Sequence, residues 1–242
     1  MRLVFAGLDR PLELEPGVCS TLEVENQALF VRLVRSLMSG EGRYADEPYS
    51  VWEEEEEIKP KDALLVIDNP LRLPWDERGL VGSVLKRIER EYLEDEDLRR
   101  AVEGFQSAMA SQLAVLGMGM NTDFEFGQEW DFRRYLKFMG FGVSYQNTKS
   151  FLDNQLNFLS LALDSGDKRV LVFVNLKTFL SENDLRLFLE HVFFQKTRIL
   201  LLENKLDERV YDYENKRHID LDFVESYGML PVRFERPSQW GF

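Results

Sequence analysis

Val170-Leu-Val-Phe-Val174, bounded by Asp167-Lys168-Arg169 and Asn175, is the stretch on which the fold of this chain turns. An unbroken apolar run between polar flanks is the pattern of a strand buried on both faces. Ile199-Leu-Leu-Leu202 repeats it just before Glu203-Asn204-Lys205. Between the two runs, Ser181 and Asp184 have the spacing of a capping box, and Leu185, Phe188, Leu189 and Val192 recur at helical spacing. Strand, crossover helix and strand make a right-handed parallel βαβ unit, in which ligands usually sit beyond the carboxyl ends of the strands. Those ends carry Asn175 and Glu203-Asn204-Lys205.

Working outward, residues 2–5 and 12–15 read as a hairpin-like opening closed by the turn Pro16-Gly17, and Leu22-Glu-Val-Glu25 reads as its continuation. Asn26 can cap a helix whose apolar positions Leu29, Phe30, Leu33, Val34, Leu37 and Met38 form one stripe ending at Gly40. Residues 44–61 are an acidic, proline-flanked excursion containing the run Glu53 to Glu57, and Ala63-Leu-Leu-Val-Ile67 is a further buried strand ending at Asp68. From Leu71 to Gly140 the pattern becomes helical, with helices expected over 82–93, 97–116 and 130–139. A short strand at 143–145 and a helix over 150–163 follow. The expected fold class is therefore α/β, a parallel-sheet head from residues 1–68 and 142–228 interrupted by a mainly helical leg at 69–141, with 229–242 as a C-terminal extension.

The chain of 242 residues is 44% hydrophobic, enough for one good core or two small ones. No run approaches the roughly 20 apolar residues of a membrane span, and the opening residues reach Asp9 too soon for a signal peptide, so a cytoplasmic location without membrane contact is expected. A single cysteine and two histidines give neither a disulfide nor a zinc cluster. The formal net charge is −13. Residues 1–70 hold 7 basic against 15 acidic side chains, 8 of the 13 excess units, which leaves room elsewhere for a basic surface.

No Gly-Lys dipeptide and no G-x-G-x-x-G occurs, so the usual phosphate loops are missing. The run ending at Asn175 is like a Walker B strand whose terminal carboxylate has become an amide, which cannot supply the charge that holds magnesium. Nucleotide hydrolysis is not expected. Asp68 with Glu203-Asn-Lys205 is similar in spacing to the acid and E-x-K of metal-dependent nucleases, although strand-end acids are common solvated residues. A magnesium-dependent nuclease is thus one alternative, and a protein-interaction module built on the acidic 44–62 segment is another. Asp123 and Glu125, with Glu129 and Asp131 nearby, form an oxygen-rich cluster between helices that suits a hard cation such as calcium but lacks EF-hand spacing. Candidate phosphate contacts are Lys137, Lys149, Lys168, Arg169, Lys177, Lys205 and Arg209, with Arg133, Arg134, Lys196 and Arg198 as further cations. Such contacts act by number on one face rather than by sequence. Neither histidine has a serine or cysteine partner at a recognisable spacing, so nucleophilic catalysis is not expected.

Taken in order, Leu8-Asp9-Arg10-Pro11-Leu12-Glu13-Leu14, the helix from Asn26, Ala63-Leu-Leu-Val-Ile-Asp68, Asp123-Phe-Glu125-Phe126, Lys168-Arg-Val-Leu-Val-Phe-Val-Asn175 and Ile199-Leu-Leu-Leu-Glu203 resemble the Csn family, the accessory adaptation protein of type II-A CRISPR loci. The resemblance implies a non-enzymatic homotetrameric ring with a degenerate P-loop-like head, which holds Ca2+ and threads double-stranded DNA ends during spacer acquisition beside other CRISPR adaptation proteins. It places the family's acidic loop on Asp123 and Glu125, with Gly127 where a third acid is usual, and its strand-flanking cations on Lys168, Arg169 and Lys205.

Overall fold

The chain begins with β1 (Arg2–Phe5), against which β2 (Leu12–Glu13) returns antiparallel with Arg2 opposite Glu13. The computed structural model describes residues 1–122, 131–142 and 149–227. The next strand, β3 (Cys19–Val24), does not continue the hairpin: it lies inside a second, parallel sheet and is buried at every residue. The alternation in Leu22-Glu-Val-Glu25 imitates a half-exposed strand because Glu23 is a buried charge, only 1% exposed. Helix α1 (Gln27–Ser39) follows, capped by the Asn26 side chain, which accepts the Leu29 N–H, and closed by Gly40 in the left-handed conformation at φ +64°. Its buried stripe is Leu29, Phe30, Leu33 and Leu37, whereas Met38 is 51% exposed.

The acidic excursion is structured. β4 (Tyr49–Glu53) and β5 (Glu56–Ile58) form a hairpin whose turn includes Glu54 at φ +53°, and β4 pairs with β1 to give a four-stranded antiparallel sheet in the order β2-β1-β4-β5. Tyr49 and Val51 face the core, while Glu53 and Glu57 are drawn to Arg198 and Arg43. A short helix α2 (Pro60–Ala63) then leads into β6 (Leu64–Ile67).

Residues 75–145 constitute one of two compact units, the other combining Met1–Pro74 with Gln146–Phe242. Its described elements are helices: α3 (Arg78–Glu94), α4 (Glu96–Gly117) and α5 (Phe132–Phe138). Tyr92 of α3 stacks on Phe132 at a ring separation of 4.1 Å, and Arg133 pairs with Glu89, so α5 is tied to α3 by both ring and charge. The strand expected at 143–145 falls within residues 143–148, outside those described.

In the other unit, α6 (Phe151–Ser165) starts with a full capping box between Ser150 and Asp153. β7 (Val170–Val174) and β8 (Ile199–Glu203) are the two apolar runs, buried throughout and paired in parallel with Val172 beside Leu200. Burying each such side chain contributes roughly 1.5–3 kcal/mol, so these strands anchor the core. The crossover helix α7 (Glu182–Gln195) buries Leu185, Phe188, Leu189 and Val192, and the ring of Phe188 meets Phe173 edge-on at 6.0 Å. Two further strands come from polar sequence, β9 (Glu214–Ile219) and β10 (Glu225–Tyr227). The sheet runs β10-β9-β3-β8-β7-β6, all neighbours parallel except β10 against β9.

Alternation assigns each strand residue to a face. Leu22, Val24, Val170, Val172, Val174, Leu200 and Leu202 join α1 and the antiparallel sheet in the main core. The opposite face carries Cys19, Thr21, Glu23, Leu201, Glu203, Glu214 and Lys216, and it is there that charge is buried.

Candidate functional site

At the carboxyl edge of the parallel sheet, where such folds usually hold a ligand, the connections are short and their side chains are turned back onto the protein. β3 passes to α1 through Glu25 and Asn26 alone, with the Glu25 N–H donating to the Ile219 carbonyl and Asn26 acting as cap. A connection that short offers no cradle of backbone N–H groups for phosphate. After β7, Asn175 turns the chain in the left-handed conformation at φ +56°, and its side-chain oxygen accepts the Asn204 N–H at 3.0 Å. Asparagine tolerates that conformation better than most residues. The Asn175 amide therefore does backbone work, joining the ends of β7 and β8.

This turn delivers Lys177 into the sheet. Its ammonium lies 2.6 Å from Glu214 Oε1 and 3.2 Å from Glu23 Oε1, while its backbone N–H donates to Glu203 Oε1 at 3.0 Å. Thr21 Oγ1 also donates to Glu214 Oε1, at 2.6 Å. Lys216 approaches Glu214 Oε2 at 3.6 Å and donates to the carbonyls of Asp207 and Arg209, fastening the loop between β8 and β9. The ring of buried Tyr211 is flanked by Lys216 at 5.2 Å, Arg186 at 5.3 Å, and Lys177 and Arg209 at 5.8 Å. Three carboxylates thus meet two ammonium groups in a nearly dry space, one negative charge too many if all are ionised. Burial raises the Glu203 carboxyl from 4.5 to about 7, and burial likewise raises Glu23. Burial alone would lower the Lys177 ammonium, but Glu214 and Glu23 more than reverse it, so Lys177 stays charged.

Lys177 is accordingly no surface cation: its side chain is 9% exposed and committed to two glutamates, which removes it from the candidate phosphate contacts. The other candidates are distributed. Lys137 is exposed on α5 of the helical unit; Lys149, Lys168 and Lys205 are exposed on the sheet unit. Arg169 pairs with Asp167 at 2.7 Å, and Arg209 pairs with Asp207 and Glu182. Lys168 and Arg169 meet Lys196 and Arg198 at the amino edge of the sheet, around a concavity of about 380 Å3.

The nuclease constellation does not assemble. Asp68, one residue beyond β6, is level with Val174 and Leu202 by register and lines a recess with Leu37 and Met38 of α1. Glu203 lies two strands away on the opposite face, sealed under the Lys177 backbone. Lys205 is exposed and outside that seal.

Of the proposed calcium ligands, Asp123, Glu125 and Glu129 lie outside the described residues. Asp131 caps α5, its Oδ1 accepting the Arg134 N–H at 2.9 Å and its Oδ2 pairing with the Arg134 guanidinium at 3.2 Å. Among the described residues, no three His, Cys, Asp or Glu side chains are grouped to hold a metal ion, and no helix is long and apolar enough to cross a membrane.

Among solved structures, the chain is similar to Stu0660 of Streptococcus thermophilus, at 15% identity and a TM-score of 0.53, covering 96% of this chain and 76% of that one, which is a likeness of fold. It also matches MJ1267, an ATP-binding cassette of an ABC transporter, at 12% identity and a TM-score of 0.45 over 94% of this chain and 90% of that one. No curated protein sequence matches it. The family model described as CRISPR-associated protein (Cas_Csn2) matches residues 45–223, from the β4 hairpin through α7 to the polar strand β9. With well over half of its length matched, the chain belongs to the Cas_Csn2 family of CRISPR-associated proteins.

Proposed function

We propose that this protein is a non-enzymatic binder of double-stranded DNA ends that works as a homotetrameric ring in the cytoplasm during CRISPR spacer acquisition, with Ca2+ held through Asp123 and Glu125. Glu129 and Asp131 are the secondary candidates for the ion, and other CRISPR adaptation proteins are the expected partners. The observation that carries the reading is the family match over residues 45–223. The geometry supports it by exclusion: Lys177 folds back from the carboxyl end of β7 onto Glu23 and Glu214 of the buried sheet face, and Asp68 and Glu203 face opposite sides of the sheet. Lys137, Lys149, Lys168, Arg169, Lys205 and Arg209 remain as phosphate contacts, and closed symmetry would multiply each by the number of subunits, which lets an acidic chain present a basic surface.

The test is a gel-shift of linear and covalently closed circular duplex DNA with calcium, with magnesium and with chelator. Linear DNA should be retained with calcium and the closed circle released. Equal retention of both forms removes threading of ends, magnesium-dependent cleavage revives the nuclease, and a monomer by light scattering removes the ring.

A further inference from the structure

The concavity of about 380 Å3 at the amino edge of the parallel sheet is on the side opposite the fold's usual ligand position. Four cations line it, Lys168, Arg169, Lys196 and Arg198, against two carboxylates, Asp167 and Glu53. Arg169 is matched by Asp167 at 2.7 Å and Arg198 by Glu53 at 2.8 Å. Among the described residues, no carboxylate pairs with Lys168 or Lys196; the Lys196 ammonium sits 3.8 Å from the centre of the Phe193 ring. The side chains therefore leave two positive charges. Helices α6 and α7 end here, and each C-terminus contributes about half a negative charge. That offsets about one unit and leaves the cavity positive.

The wall also has hydrogen-bonding capacity that the protein does not use. Thr197, Arg198 and Gln195 line the concavity, and among the described residues Arg198 Nε, Thr197 Oγ1 and the acceptor Gln195 Oε1 are buried just behind its surface without a partner. A buried donor left unpaired is destabilising, and a side-chain adjustment that turned Arg198 Nε and the Thr197 hydroxyl toward an oxyanion in the cavity would satisfy both. Guanidinium and ammonium groups together on one concave face suit a tetrahedral oxyanion with several acceptor oxygens.

We propose that the amino-edge concavity formed by Lys168, Arg169, Lys196 and Arg198 is a binding site for a phosphate group. The group would come from the backbone of bound DNA, in which case the proposal rests on the DNA reading above, or from a free phosphate compound. The experiment separates the two. Lys168→Gln with Lys196→Asn removes both unpaired charges while leaving the fold intact, because both residues are exposed and asparagine tolerates the φ of +56° at position 196. Arg100→Gln on α4, an exposed cation paired with Glu96, serves as the charge control.

Pyrophosphate binding is measured by calorimetry, and binding of a labelled linear duplex by anisotropy from about 50 to about 200 mM salt. The double variant should lose tenfold or more in pyrophosphate affinity, and the slope of log affinity against log salt for DNA should fall by about 0.9 for each DNA phosphate that a subunit no longer neutralises. The control should change neither. Pyrophosphate binding that requires Lys168 and Lys196, in a protein that binds no duplex, keeps the phosphate site, assigns it to a free compound and overturns the DNA reading. Duplex binding with a salt slope and a pyrophosphate affinity unchanged in the double variant overturns the site and leaves the DNA reading standing.

Discussion

The ammonium of Lys177 lies 2.6 Å from Glu214 Oε1, joining the turn after β7 to the start of β9 across the buried face of the sheet. Both side chains are nearly sealed from water, at 9% and 0% exposure, so neither charge has solvent to fall back on.

Replacing Lys177 with methionine keeps the volume and removes the charge, leaving Glu23 and Glu214 buried beside each other without their main cation. Breaking a buried pair in this way costs about 3–5 kcal/mol. The expected result is a lower urea midpoint, with Glu214→Gln in the same background restoring part of the loss. A Lys177→Met protein as stable as wild type would mean that the cluster is hydrated in solution.

Glu203 makes stability depend on pH with a defined sign. Its carboxyl titrates at about 7 in the folded chain against 4.5 as the ordinary value, so the folded state holds the extra proton between those limits. Stability is then greatest at the acidic end of the window and is lost as pH rises through about 7. The loss is roughly 3 kcal/mol, since each pH unit separating the folded and unfolded titrations is worth about 1.4 kcal/mol. Glu23, raised in the same direction, adds to the slope. Glu203→Gln, whose amide oxygen can still accept the Lys177 N–H, should flatten the dependence and be the more stable protein at pH 8. Unfolding midpoints at pH 5.5 and pH 8 decide it.

Asn175 combines a left-handed backbone with a side-chain bond to the Asn204 N–H. Asn175→Ala loses both and should cost about 2–3 kcal/mol, whereas Asn175→Gly keeps the conformation and should cost about 1 kcal/mol. Thermal unfolding of the two variants ranks the backbone and side-chain contributions, and equal losses would show that conformation contributes nothing.

On the proposed calcium site, the melting temperature should rise with calcium concentration, because a ligand that binds only the folded chain stabilises it by mass action. Asp123→Ala with Glu125→Ala should erase that rise. Asp131→Ala should instead lower stability of the helical unit by about 1 kcal/mol through loss of the α5 cap, with or without calcium. A double variant that still gains the full rise places the ion on other ligands.

What the amino-acid sequence alone determined is everything that depends on apolar periodicity and local caps. Val170 to Val174, Ile199 to Leu202, the stripe of α7, Asn26 with Gly40 and Ser181 with Asp184 each carry their signal within a few residues, because burial of hydrocarbon and satisfaction of helix ends are local demands. Only the tertiary structure decided the rest of the sheet. Leu22 to Glu25 reads as part of a hairpin, and residues 214–219 carry no strand signal, because Glu23, Glu214 and Arg217 look like solvated residues, yet all three are buried. A buried carboxylate is tolerable only beside a cation, and Lys177 reaches Glu23 from 154 residues away. The same distance hid the role of Lys177, a lysine after a strand that reads as surface until the turn at Asn175 points it inward. At the amino edge, Lys168 and Arg169 were visible as cations, but their meeting with Lys196 and Arg198 follows from the parallel register of β7 and β8, which only the folded sheet imposes.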